Sequence, residues 1–236
     1  MGQSMGRVNK EKLYITDHIY QVAGGSLTSG DDAAAFLITA DDPVLIDTGA
    51  GRSIKEVIDN IKTAGIDPST IKRVVLTHNH IDHIGGIVYL KENFDVKFYM
   101  HQLDALAVEM GDNVITAATM YGIDLPPIPI DVKFSKAELS LDIGDTRLIL
   151  LHTPGHTPGS ISPYIDIDGK RVLFAQDVHG PFMDIFNSDI KIWRKSMKKL
   201  KALKPDILCE GHYGIFSPKE KALAYIDEYL KQYSQE

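Results

Sequence analysis

Leu76-Thr77-His78-Asn79-His80-Ile81-Asp82-His83-Ile84-Gly85-Gly86 is the stretch from which the rest of the chain can be read. Three histidines and an aspartate fall within six residues, directly after the apolar run Val74-Val75-Leu76. A strand that ends at Thr77 must turn there, and Gly85-Gly86 lets the chain enter a helix packed closely on the sheet. In a loop at a strand end, His78 and His80 can point to one side while Asp82 and His83 reach the other. That arrangement offers ligands to two metal ions a few ångströms apart. A histidine-rich surface turn would not need the Ile-Asp-His-Ile-Gly-Gly frame. A Cys/His zinc finger is excluded because the chain has one cysteine, Cys209. The zincin pattern His-Glu-x-x-His does not occur.

The motif resembles the His-x-His-x-Asp-His signature of the metallo-β-lactamase superfamily, and the resemblance makes demands on the rest of the chain. It asks for a later histidine after a strand, and Thr153-Pro154-Gly155-His156-Thr157-Pro158-Gly159-Ser160 supplies His156. It asks for an aspartate at a strand end, and Leu173-Phe174-Ala175-Gln176-Asp177 supplies Asp177. A last histidine comes from Ile207-Leu208-Cys209-Glu210-Gly211-His212. An early strand ending in Asp-x-Gly is met by Val44-Leu45-Ile46-Asp47-Thr48-Gly49. The resemblance implies that His78, His80 and His156 hold one metal and Asp82, His83 and His212 a second, with Asp177 bridging both. It gives Asp47 a supporting role, accepting a hydrogen bond from a ligand histidine. Imidazole and carboxylate suit two divalent cations, zinc first, with iron or manganese as alternatives. Asp82 and Asp177 are the expected catalytic carboxylates, orienting a metal-bound water and moving its proton.

The pattern around the motifs agrees. Short β-rich runs fall at 19–22, 34–39, 44–47, 74–77 and 97–100, and again at 146–151, 161–165, 172–175 and 207–209. Helical stripes lie at Ile54, Val57, Ile58 and Ile61, with Ser53 as N-cap, at Trp193, Met197, Leu200 and Leu203, and at Ala222, Ile226, Tyr229 and Tyr233. A further helix is expected over 102–120. Alternation alone does not separate a doubly wound α/β fold from two sheets packed face to face. The resemblance does: it implies a four-layer αββα sandwich, two mixed β-sheets with helices outside, as one domain over 1–236.

Composition narrows the partners. The chain has 236 residues, a formal net charge of −7 and nine histidines. An acidic balance argues against a general nucleic-acid binder. No apolar run is long enough to span a membrane. The polar first twelve residues lack the apolar core of a secretory leader, and with a single cysteine this points to the cytoplasm. A small-molecule substrate is expected. The aromatic residues over 225–233 permit a homodimer. His18 and His101 read as ordinary residues, His152 as a possible neighbour of a ligand, and Cys209 as buried and inert.

The Thr-His-x-His-x-Asp-His-x-Gly-Gly form, the Thr-Pro-Gly-His-Thr-Pro-Gly-Ser turn and the modest length look like the glyoxalase II branch, of the hydroxyacylglutathione hydrolase type. This implies hydrolysis of a thioester or related small acyl substrate. After His212, however, the chain reads as one helix over 218–234, in place of the basic helical region with which that branch grips glutathione. Expected pocket walls are His179, Phe182, Met183, Phe186 and Tyr213, with Met120, Tyr121 and the proline-rich stretch 123–130 as a lid. Competing readings on the same fold are an iron-dependent persulfide dioxygenase, a lactonase and an RNase Z-type nuclease. The first would hold one iron at His78, His156 and Asp177. Against the nuclease stands the net charge. Its one counter-signal, Arg194, Lys195, Lys198, Lys199 and Lys201, opposes the Trp193/Met197/Leu200 stripe and reads as a solvated helix face.

Overall fold

The structure is a computed structural model and describes residues 9–234; the polar start over 1–8 lies outside the described residues. Seven strands form the first sheet in chain order: β1 (Tyr14–Thr16), β2 (Ile19–Ala23), β3 (Ala35–Ile38), β4 (Val44–Ile46), β5 (Arg73–Val75), β6 (Lys97–His101) and β7 (Val132–Phe134). The first three pairings are antiparallel, and those from β4 to β7 are parallel. The second sheet holds β8 (Glu138–Ile143), β9 (Thr146–His152), β10 (Ile161–Ile167), β11 (Lys170–Gln176), β12 (Ile207–Glu210) and β13 (Ile215–Phe216). Its order is β13-β12-β11-β10-β9-β8, with β11 and β12 parallel and the other neighbours antiparallel. Both sheets are therefore mixed.

The side-chain period of two sorts each strand between layers. Val44, Ile46 and Val75 face the second sheet, where they meet Phe174, Val172, Ile207 and Cys209. Leu45, Val74 and Leu76 face the other way, onto α2 (Ile54–Ala64), whose Val57, Ile58 and Ile61 are buried against them. On the far side, Leu173, Ala175 and Leu208 pack on Trp193, Met197 and Leu200 of α7 (Ile190–Ala202) and on Ala222 and Ile226 of α8 (Lys219–Gln232). The result is the expected αββα sandwich. The central strands β3 and β4 are buried on both faces, which explains why their runs are apolar throughout.

Shorter helices complete the chain: α1 (Lys10–Leu13), α3 (Ile81–Ile84), α4 (Ile87–Asn93), α5 (Gln102–Met110) and α6 (Ala118–Tyr121). Three expectations need correction. The helix over 102–120 is broken, because α5 ends where Gly111 turns left-handed at φ 63° and its N–H caps Ala107 and Val108. Ser53 takes the expected N-cap position of α2, but its hydroxyl makes no capping bond and donates instead to the buried Asp32. The proline-rich stretch is no lid: Leu125, Ile128 and Ile130 are buried in the core beneath α5.

The parallel strands position the site. β4, β5, β11 and β12 all end at one edge of the sandwich, and the motif loops leave from those ends. At the start of that edge the backbone is crowded. A Cβ on Gly85 would lie 2.1 Å from the Ala50 carbonyl oxygen. Gly169, in the β10–β11 hairpin at φ 69°, faces open space. Gly85→Ala is therefore expected to lower stability by at least about 3 kcal/mol through overpacking. Gly169→Ala should lose only about 1 kcal/mol, from its left-handed conformation. Chemical denaturation of the two variants checks the contrast.

Candidate metal centre

The strand-end loops bring two sets of ligand-type atoms together. The first is His78, His80, His156 and Asp177; the second is Asp82, His83 and His212; within each set the ligand atoms lie within 4.8 Å of one another. His156 Nε2 stands 2.9 Å from His80 Nδ1 and 3.5 Å from Asp177 Oδ2, which is 3.9 Å from His78 Nε2. In the second set, His212 Nε2 lies 3.4 Å from Asp82 Oδ2, and His83 Nε2 lies 3.9 Å from the same oxygen. Asp177 joins the two. Its Oδ1 is 3.1 Å from His83 Nε2 and its Oδ2 is 3.3 Å from His212 Nε2.

These atoms pass a direct test for cations. The Nε2 atoms of His78 and His83 and Oδ1 of Asp177 are buried and have no hydrogen-bond partner, so the 3.1 Å approach of His83 to Asp177 is not a hydrogen bond. Leaving such groups unsatisfied is costly. A divalent ion in contact with each set would satisfy them, and imidazole plus carboxylate is a donor set that zinc, iron and manganese accept. Protonation fits as well. Burial keeps the pKa of His78 and His80 well below that of a free imidazole and lowers His156 to about 4, so these rings are neutral and ready to donate a lone pair. Burial would also lower His83, but Asp177, Asp47 and Asp82 outweigh it and raise its pKa well above the usual value. Burial pushes the Asp177 carboxyl up, yet His83 and His212 overcome it and hold the group ionised. A cation at the second set would compete with a proton for His83 Nε2.

Groups behind the cluster fix its geometry. Asp47 leaves β4 at φ 58° and accepts from Thr77 N at 2.8 Å, from the Thr77 hydroxyl at 2.7 Å and from His83 Nδ1 at 2.7 Å. Asp47 thus makes the hydrogen bond to His83 that such a supporting role would need. His156 Nδ1 donates to the Pro181 carbonyl at 3.0 Å, which turns Nε2 toward the cluster. Two further carboxylates were not foreseen. Asp104 of α5 accepts from Asn79 N at 3.1 Å, Gly159 N at 2.6 Å and the Thr157 hydroxyl at 2.6 Å. It thereby ties the His78–His80 loop to the His156 loop. Burial raises its pKa to about 6 against those three donors. Glu210, fully buried at the end of β12, accepts from His212 N at 2.6 Å and Tyr213 N at 2.8 Å. Its other oxygen takes His179 Nδ1 at 2.7 Å. A glutamate between an apolar strand and a glycine was the available signal for this one.

A cavity of about 290 Å³ opens onto the cluster. His179, Met183, Phe186 and Tyr213 line it as expected, with Met120 and Tyr121 at its rim, and Phe186 packs on the His80 ring at 4.4 Å. Phe182 does not. It turns under the second sheet and meets Trp193 at 5.1 Å and Tyr233 at 5.0 Å, because the short turn Asp184–Phe186 carries Phe186 to the opposite side. His101 and His152 stack on each other at 3.8 Å, away from the cluster, and His152 Nε2 bonds the Pro158 carbonyl. His18 pairs with Asp168 on the surface. Among the described residues, no helix is long and apolar enough to cross a membrane.

Two mixed sheets inside two helical layers, with a buried histidine–aspartate centre at one edge, define a metallohydrolase class of architecture. The chain belongs to the metallo-beta-lactamase superfamily, whose family model matches residues 29–212. A protein of Aquifex aeolicus is 33% identical over 184 residues, 72% of this chain and 78% of that one. A hydroxyacylglutathione hydrolase of Hahella chejuensis is 30% identical over 148 residues, 61% of this chain and 49% of that enzyme. An acyl-coenzyme A thioesterase of Bos taurus is 29% identical over 184 residues, 69% of this chain and 63% of the other. Among solved structures, a metallo-beta-lactamase of Cronobacter sakazakii superposes with a TM-score of 0.77 at 21% identity, covering 94% of this chain and 95% of that one; this likeness concerns the fold alone.

Removing either supporting carboxylate should loosen the centre without removing a ligand-type atom. Asp47→Ala is expected to weaken metal binding about 10–100-fold. Asp104→Ala, which orphans three buried donors, should lower stability by about 3 kcal/mol. Metal content after dialysis and thermal unfolding read the two effects separately.

Proposed function

We propose that this protein is a two-metal hydrolase that acts on a thioester or a related small acyl substrate. The observation that carries the reading is the Asp177 carboxylate, set between two ligand groups, with its Oδ1 and the Nε2 atoms of His78, His80 and His83 buried and unpartnered. His78, His80 and His156 would hold one ion, Asp82, His83 and His212 the other, and Asp177 both. Zinc is the first candidate, with iron or manganese as alternatives. Bound cations would supply a water of lowered pKa and polarise the carbonyl under attack.

The residues do the rest. The water oxygen bonds to the carbonyl carbon, the C–S bond breaks, and the thiol leaves with a proton while a carboxylic acid remains. Asp82, which lines the cavity beside His212, would accept a hydrogen bond from the attacking water. Asp177 would receive its proton. Phe186, Met183 and Met120 give the acyl group an apolar wall and thin the water around the carbonyl. Two named relatives favour the thioester. The hydroxyacylglutathione hydrolase and the acyl-coenzyme A thioesterase both carry that chemistry in their names. The chain spans about half the length of the first, and glutathione is not part of the proposal.

Metal analysis combined with a panel of small thioesters, lactones and phosphodiesters tests the reading. Two ions per chain and the highest kcat/KM on a thioester are expected. Chelation should abolish turnover, and His78→Ala or Asp177→Ala should reduce it by about a thousandfold or more together with metal content. One iron per chain with oxygen consumption would replace the hydrolase by a dioxygenase. Preference for lactones would move the substrate class.

A further inference from the structure

A second cavity, of about 530 Å³, meets the metal pocket at His212 and Tyr213, which line both. Its walls are α1, β2 with the loop that follows it, and the loop after β12, including Lys12, Gln21, Gly24, Gly25, Gly211 and Gly214. Four of these are glycines, so backbone forms part of the wall beside the side chains of Gln21, Ser26, Leu27, His212 and Tyr213. Gly25 and Gly214 have nothing within 4 Å of where a Cβ would stand. The loop after β2 is not a loose flap. Asp32, buried beneath it, accepts from the Thr28 hydroxyl at 2.6 Å, Ser29 N at 3.1 Å and Ala50 N at 2.7 Å, and Ala34 N donates to the Gly211 carbonyl at 2.7 Å. The groove is therefore a built feature.

Its charge differs from that of the metal pocket. Among the described residues, the lining contains one lysine, Lys12, and no carboxylate. Lys12 is exposed and makes no ion pair among the described residues. On a chain of net charge −7, a groove with a lone cation and no acid is a local exception. We infer that this groove is the subsite for an anionic leaving thiol, whose carboxylate or phosphate is met by Lys12 while the acyl group enters the apolar metal pocket. The inference rests on the thioester reading above and adds the orientation and charge of the substrate. Orientation follows from desolvation: the apolar pocket suits an uncharged acyl chain, whereas a charge buried there would lose its hydration. In the open groove the anion keeps water and gains the lysine.

The test changes charge and little else. S-acetyl mercaptosuccinate and its dimethyl ester share a skeleton, and S-acetyl 2-mercaptoethyl phosphate distinguishes a phosphate from a carboxylate source. Metal-loaded wild-type protein is expected to favour an anionic thioester over the neutral ester by about tenfold in kcat/KM, mainly through KM, and the preference should shrink with added salt. Lys12→Glu, at an exposed position, should remove or reverse that ratio. Calorimetric titration with the thioethers S-butyl mercaptosuccinate and its dimethyl ester reads the groove without turnover. Tighter binding of the dianion, lost in Lys12→Glu, supports the subsite even if no thioester is hydrolysed, in which case only the thioester reading falls. Hydrolysis of both thioesters at a ratio that Lys12→Glu leaves unchanged overturns the subsite and leaves the thioester reading standing.

Discussion

The Asp177 carboxylate sits between two sets of imidazoles in a space from which water is largely excluded, and the surrounding structure answers to that one constraint. Buried charge is tolerated only when paired or coordinated. The carboxylate must therefore meet His83 and His212 on one side and His156 on the other, within the 3.1–3.5 Å found. The backbone yields to achieve this. Gln176 leaves β11 at φ 49°, and Gly211 leaves no room for a side chain, since a Cβ there would fall 2.4 Å from Asp177 Oδ1. The glycine before His212 is thus a packing requirement imposed by an aspartate on a neighbouring strand.

Further out, other buried carboxylates hold the loops by accepting backbone N–H groups. Asp47 fixes the end of β5, Asp104 joins the first histidine loop to the His156 loop, Glu210 shapes the turn that carries His212, and Asp32 secures the loop after β2. Charge-assisted bonds of this kind are stronger and more directional than neutral ones. They suit loops that leave strand ends with no ladder of their own to follow. Together they pre-organise the centre and hold its ligand-type atoms close to one another.

His78, His80, Asp82 and His83 announce themselves in the sequence by spacing alone, and the resemblance they carry, rather than strand periodicity, pointed to the sandwich and to His156, Asp177 and His212. What escaped was long-range. Asp104 reaches Gly159, 55 positions away, and nothing around a helix-borne aspartate marks it as a clamp. Glu210 meets His179 across 31 positions. Phe182 and Phe186 looked equivalent in a short apolar stretch after Asp177, and only the turn between them sends one to the His80 ring and the other beneath Trp193. The single helix expected over 102–120 failed for a local reason, a glycine that ends α5, whose force depended on the buried residues that follow it.

The division of labour in the molecule explains why the chemistry reads so much more clearly than the substrate. Ligand-type atoms come from the ends of β5, β9, β11 and β12 or the loops just beyond them, where the sheets dictate direction. Walls that would choose a substrate come from loops after β2, around α6 and after Asp177, which the sheets constrain far less. Those walls also separate charge: an apolar cavity beside the acids of the centre, and a glycine-lined groove whose only charged side chain among the described residues, other than His212, is a lysine. Net charge averages over both and so describes neither. A cationic centre would draw an acyl carbonyl by its oxygen, but the groove and the cavity would decide which way round the molecule lies, and that choice is made by residues that no metal-binding motif contains.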